Sequence, residues 1–144
     1  MTSRSRRIAI IAALVASFGL LDSGYLTVKH LEGSYIRCGD ECSAVLGSKY
    51  AEGIAGVPLA GFGAASYLTV LVATILAALG FAIGRQVFTA MSIFMALFSV
   101  WLIYLQAFII HSFCKYCLAS AACCFVLALL ALLDRVAPGN ASAQ

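Results

Sequence analysis

Charged positions divide this chain into apolar runs. No Asp, Glu, Lys or Arg occurs between Glu52 and Arg85, between Arg85 and Lys115, or between Lys115 and Asp134, and the run from Ile8 to Val28 is broken only by Asp22. A helix needs roughly 20 apolar residues to cross about 30 Å of hydrocarbon. Backbone polar groups cannot be left unpaired in lipid, so runs of this length are helices; barrel strands would be about half as long and would alternate. The pattern predicts an all-α fold, a four-helix transmembrane bundle with helices at 8–28, 58–83, 87–110 and 113–133, in a single membrane domain spanning 1–144.

The long connection, 29–57, carries Gly33, Gly39, Gly47, Gly53 and Gly56 and most of the acidic residues, so it is expected to face water. Within it Val45, Leu46 and Tyr50 recur at helical spacing after Cys42, which predicts a short helix lying on the membrane surface. Pro58 suits a first helical turn, where a missing N–H costs nothing, and it biases Val57 towards extended backbone. The tail is 134–144, and its small and polar stretch from Pro138 to Gln144 is expected to be disordered. The basic start Ser3-Arg4-Ser5-Arg6-Arg7 resembles a signal peptide, but the apolar run behind it exceeds the usual 7 to 15 or so residues, so an uncleaved span is expected.

Composition sharpens this picture. Of 144 residues 63% are hydrophobic and 10% charged, against about a quarter charged in soluble domains. The chain is therefore expected to be solvated by lipid, with no nucleic-acid partner. The positive-inside bias sets the orientation: Arg4, Arg6, Arg7, Arg85 and Arg135 fall on one side, and Lys29, Arg37, Lys49 and Lys115 on the other. The N-terminal cluster decides the reading: a multi-pass protein of the inner (plasma) membrane, both termini cytoplasmic, the 29–57 loop extracytoplasmic.

Of six cysteines, four form two pairs, Cys38 with Cys42 and Cys114 with Cys117. Two intervening helices return the chain to the same membrane face, so both pairs are expected on the outer, oxidising side. In Cys114-Lys115-Tyr116-Cys117 the spacing permits a disulfide, and a helix N-terminus and the Lys115 charge both favour thiolate. Cys38-Gly39-Asp40-Glu41-Cys42 is acidic and flexible at Gly39, suited to a disulfide that another protein's thiol attacks. Static disulfides, or four thiolates around zinc, are the alternatives. A membrane bundle does not need the staples of a small secreted domain, and one pair sits at the lipid boundary rather than in a knuckle-like loop. Two dithiols on one face can act as a relay, for which no resident metal is expected.

Cys38, Cys42, Ser48, Tyr50, the run Gly53-Ile54-Ala55-Gly56-Val57-Pro58-Leu59, Gly63, Tyr67 and the closing Cys114-x-x-Cys117 resemble a bacterial homologue of the vitamin K epoxide reductase family over nearly the whole chain. The resemblance implies a quinone-dependent thiol–disulfide oxidoreductase that supports disulfide formation. In that reading Cys117 meets the quinone, Cys114 exchanges with Cys42 through a transient disulfide, Cys38 meets the external thiol, and Ser48 and Phe113 adjoin the quinone, ubiquinone or menaquinone. The thiol donor it implies is a separate DsbA-like, thioredoxin-fold protein, 144 residues leaving no room for a fused one. The loop pair is separated by three residues where relatives usually have more, and Leu59 and Ala121 fall near polar quinone contacts of the animal enzymes. Simple quinone reduction, rather than epoxide reduction, is the activity expected.

Other residues carry weaker signals. Cys123 and Cys124 read as small core residues. Asp22, an acid in an apolar span, reads as paired near the interface, with a proton role as the alternative. His111, one turn before Cys114, could pass protons, His30 less so. Phe94, Phe98, Trp101, Leu105 and Phe108 form a stripe read as bundle packing or as a wall of the quinone pocket. Gly61, Gly63, Ala64 and Ala65 predict a close helix approach.

Overall fold

The computed structural model describes residues 3–33, 40–50, 52–53 and 57–136. Helix α1 spans Ser3–Leu31, α2 Asp40–Leu46, α3 Leu59–Ala78, α4 Ala82–Tyr104 and α5 Lys115–Val136, and α4 runs on into a π-helical turn, Leu105–Ile110. Four of these are long and apolar enough to cross a membrane: Ser3–Leu31, Leu59–Ala78, Ala82–Ile110 and Lys115–Val136. The fold is an all-α four-helix bundle, and the protein is a multi-pass membrane protein. Around the bundle α1 lies against α3 and α5, and α4 against the same two; short α2 rests on the π-helical turn.

The bundle places its small residues inside. On α1 the buried positions are Ile8, Ala12, Ala16, Gly19, Ser23 and Leu26, a helical stripe, whereas Leu14, Phe18, Leu21 and Val28 face outward. Lipid is as apolar as leucine, so burying large side chains brings no solvation gain and helices associate through close backbone approach. Gly19 shows the requirement: a methyl group there would run into the ring of Tyr67, which is 1% exposed and forms the middle of the core with Val70, Phe88, Met95 and Leu127. Some buried hydroxyls are satisfied within their own helix, as where Thr74 Oγ1 donates to Val70 O at 2.7 Å, while Ser92 Oγ is buried without a hydrogen-bond partner.

Several helix bounds differ from the sequence reading, most of all between the second and third spans. The break between the second and third spans, expected after residue 83, lies at Leu79–Phe81. There Gly80 adopts φ 94°, Gly80 N–H donates to Ala77 O and Phe81 N–H to Leu76 O, the paired bonds of a Schellman cap. Arg85 had suggested a loop by its charge; instead it sits in the first turn of α4, where its Nε lies 3.2 Å from Asp134 Oδ2 on α5. Ser5 on α1 donates to the other oxygen, Oδ1, at 3.1 Å. A buried carboxylate thus joins three helices at this end of the bundle. The first span also extends beyond 8–28 at both ends, and α5 runs to Val136. Residues 137–144, which include the stretch expected to be disordered, lie outside the described residues.

Candidate active site

The Cys114–Cys117 pair sits where α5 begins, and the chain before it is shaped to hold it. The π-helical turn ends at His111, a non-glycine residue in the left-handed region at φ 55°. π-turns and such backbones are costly locally and cluster at functional sites. Gln106, inside that turn and 4% exposed, accepts two N–H groups across the break: its backbone O takes the N–H of Ser112 at 3.2 Å and its side-chain Oε1 that of Cys114 at 3.1 Å. Cys114 is thereby fixed one residue ahead of the helix.

The two thiols face different surroundings. Cys114 is fully buried, packed against Val45 of α2, with Leu46, Ile110, Tyr116 and Cys117 around them. Cys117 is partly exposed and lines a cavity of about 500 Å³ between the helices; Cys114 does not. Both are free thiols. The Cys117 thiol, donating to Cys114, and the N–H groups of Cys117 and Tyr116 lower the Cys114 thiol to about 7, against burial and the Asp22 charge, which oppose ionisation. Cys117 N–H lies 3.5 Å from Cys114 Sγ. The helix N-terminus acts as the spacing suggests, but Lys115 is exposed and the neighbouring thiol takes the part assigned to it.

The cavity is overwhelmingly apolar. Near the loop its wall includes His30, Leu46, Ser48 and Tyr50; deeper it reaches Tyr67, Met95, Ser120 and Cys124. Tyr67 Oη donates to Ser120 O at 2.7 Å and lies 3.1 Å from Cys124 Sγ, so Cys124 is both core residue and floor. Cys123 packs partly buried beside it. Ser48 reaches the wall, yet its Oγ donates to Val45 O at 2.7 Å, so its proton is committed to the backbone and a lone pair is what it offers a ligand. Leu59 and Ala121 are also in the wall, making it apolar there.

Not every candidate converges. Phe113 is 46% exposed, precedes α5 and is not among the residues that line the cavity with Ser48 and Cys117. The aromatic stripe divides: Phe94, Phe98 and Leu105 line the cavity, with the two phenyl rings stacked at 6.2 Å, while Trp101 and Phe108 face outward. Asp22, expected to be paired near the interface, has no ion pair among the described residues; Lys29, two turns on, pairs with Glu32 at 3.1 Å. Cys38 lies outside the described residues. Cys42 is in α2, one turn before Val45, and its side chain lies outside them too. Gln106 carries a sequence signal of its own, since an amide near the end of an apolar span is the kind of polar group lipid does not tolerate without a task.

No curated protein matches the chain. The model of the vitamin K epoxide reductase family matches residues 10–132, from the first span through the Cys114–Cys117 pair to the end of the fourth. The chain belongs to the vitamin K epoxide reductase family, and on that ground is a membrane thiol–quinone oxidoreductase.

Proposed function

We propose that the protein takes electrons from a separate DsbA-like, thioredoxin-fold protein and delivers them to a respiratory quinone of the ubiquinone or menaquinone type, so that disulfides form in secreted proteins. The path runs from the donor to Cys38, to Cys42, to Cys114 and then through Cys117 to the quinone. The observation that supports this reading best is the division of the pair: Cys117 borders the apolar cavity, and Cys114 lies beneath the helix that carries Cys42. The cavity suits a flat apolar ring, having stacked Phe94 and Phe98 on one wall and few polar atoms. Cys117 and Ser48 are the quinone contacts in this reading.

The chemistry balances within the pair. Reduced Cys114 and Cys117 lose two electrons and two protons as the S–S bond forms, and the quinone gains both. Cys42 thiolate then attacks Cys114, releasing Cys117 as thiol and forming the Cys42–Cys114 disulfide, which Cys38 resolves. The Cys38–Cys42 disulfide in turn oxidises the external dithiol. DsbA-like oxidants stand at about −120 mV, so only a more oxidising acceptor such as a quinone can regenerate them. This places the 29–57 loop and the cysteine pairs on the extracytoplasmic side of the inner membrane, with both termini cytoplasmic.

Trapping tests the path. Cys117→Ala expressed in cells accumulates a Cys42–Cys114 bridge, visible by non-reducing electrophoresis and absent when Cys42→Ala is added. Absence of that bridge, or failure of the purified protein to reduce a soluble quinone with a reduced thioredoxin-fold donor, overturns the reading.

A further inference from the structure

Asp22 is the acid left unexplained. It lies in the outer part of α1, on the helix that rests against α5, and its Oδ2 is buried with no hydrogen-bond partner. A carboxylate oxygen so placed disfavours the charged form unless something compensates it. No cation among the described residues does: Lys29 is held by Glu32, and Arg85 stands with Asp134 beyond Gly80, at the other end of the bundle. The ring of Tyr25, one turn further along α1, lies 5.8 Å from that of Tyr116, the neighbour of Cys117, which sets this turn of the helix beside the start of α5, and the Asp22 charge is felt at Cys114, Cys117 and Cys123.

The other ionisable groups around it are accounted for. On α3, Tyr67 is the titratable residue, and its hydroxyl is engaged with Ser120 and Cys124. On α5, Tyr116 is against the ring of Tyr25 of α1 at 5.8 Å, Lys115 is exposed, and Asp134 and Arg135 lie at the far end. On α1 itself His30 is two turns away at the cavity rim. Asp22 is thus an acid whose electrostatic neighbours are the thiols of the reactive pair and Cys123.

We propose that Asp22 is a positioning residue that shares its proton with the Cys114–Cys117 pair. A carboxylate and a thiolate held close in a medium of low dielectric do not both carry charge, so a proton leaving one stays on the other. In the reduced protein the pair and Asp22 hold the excess protons together. As the pair is oxidised, its two electrons pass to the acceptor with two protons, and Asp22 Oδ2 is where a thiol proton rests while Cys114 or Cys117 is ionised. No further oxidant or proton source is needed. The proposal rests on the Cys114–Cys117 pair being redox-active, as set out above, and adds to it where the proton is kept.

Infrared difference spectroscopy between protein reduced with dithiothreitol and protein oxidised with diamide reads the carboxyl group directly, with no quinone present. The expected result is a protonated-carboxyl band that changes with the redox state of the pair, vanishes in Asp22→Asn and returns, displaced, in Asp22→Glu. In parallel, Asp22→Asn moves the pH midpoint of Cys114 alkylation downward, because a negative charge that opposes ionisation is gone. A wild-type difference spectrum without such a band, or an alkylation midpoint unmoved by Asp22→Asn, overturns the proposal. Wild-type protein that shows the band but reduces no quinone would leave the proton-sharing intact and refute the proposed acceptor instead.

Discussion

At the residue scale the structure turns on tolerances of single atoms. Gly19 and Gly24 lie on one helix, but a Cβ at Gly19 meets the Tyr67 ring, whereas one at Gly24 meets nothing within 4 Å. Gly19→Ala is therefore expected to cost about 1–3 kcal/mol through overpacking. Gly24→Ala should be neutral or gain up to about 1 kcal/mol of helix propensity. Thermal unfolding of the two variants in detergent checks the contrast. The Cys114 thiol, lowered to about 7, makes a second prediction. Its alkylation should fall away as pH drops through that value, because the thiolate is the nucleophile. Cys117→Ala removes the largest stabilising contact and moves the midpoint upward, towards the ordinary thiol range; mass spectrometry of pH-quenched samples reads it. The sequence disclosed the pair and its helix N-terminus. It could not disclose that Cys114 leans on the Cys117 thiol or that Gln106 holds Cys114, because these depend on a π-turn that spacing does not encode.

At the scale of elements, short α2 is the cover over Cys114. It is held largely by Val45 and Leu46, and no hydrophobic gain of the size of a transmembrane helix anchors it. Trimming Val45 to Ala should weaken that closure by about 1–2 kcal/mol, which corresponds to a roughly 5- to 30-fold rise in exposure of what lies beneath. Timed alkylation is expected to show faster modification of Cys114 with little change at Cys117, which already borders the cavity; equal acceleration at both would contradict the separate surroundings. A short helix in the long connection was legible from Val45 and Leu46, although it begins at Asp40 and ends before Tyr50, which the spacing includes; the four spans were legible from their uninterrupted apolarity. The turn at Gly80 was not, because the charge of Arg85 pointed to a loop and its partner Asp134 is 49 residues further on in the chain, a pairing only the folded bundle brings about.

For the whole molecule, the consequence of an interior in which Ala, Gly and Ser let the helices close around a few large side chains such as Tyr67 and Phe88 is that association depends on fit, and polar ties between helices carry weight. Asp134, 7% exposed, joins α1, α4 and α5 through Ser5 and Arg85. Arg85→Met leaves its carboxylate without a cation, and a loss of about 1–3 kcal/mol in stability is expected; adding Asp134→Leu should restore part of it, measurable as a double-mutant cycle in detergent unfolding. The arrangement of the two sulfurs has a kinetic corollary. One thiol opens on a chamber within the bundle and its neighbour lies under α2, so on the proposed path the donor protein and the quinone meet different sulfurs. Steady-state rates should therefore follow a two-site ping-pong scheme. Accumulated quinol should compete with quinone alone, and an excess of oxidised donor protein should leave the quinone KM untouched.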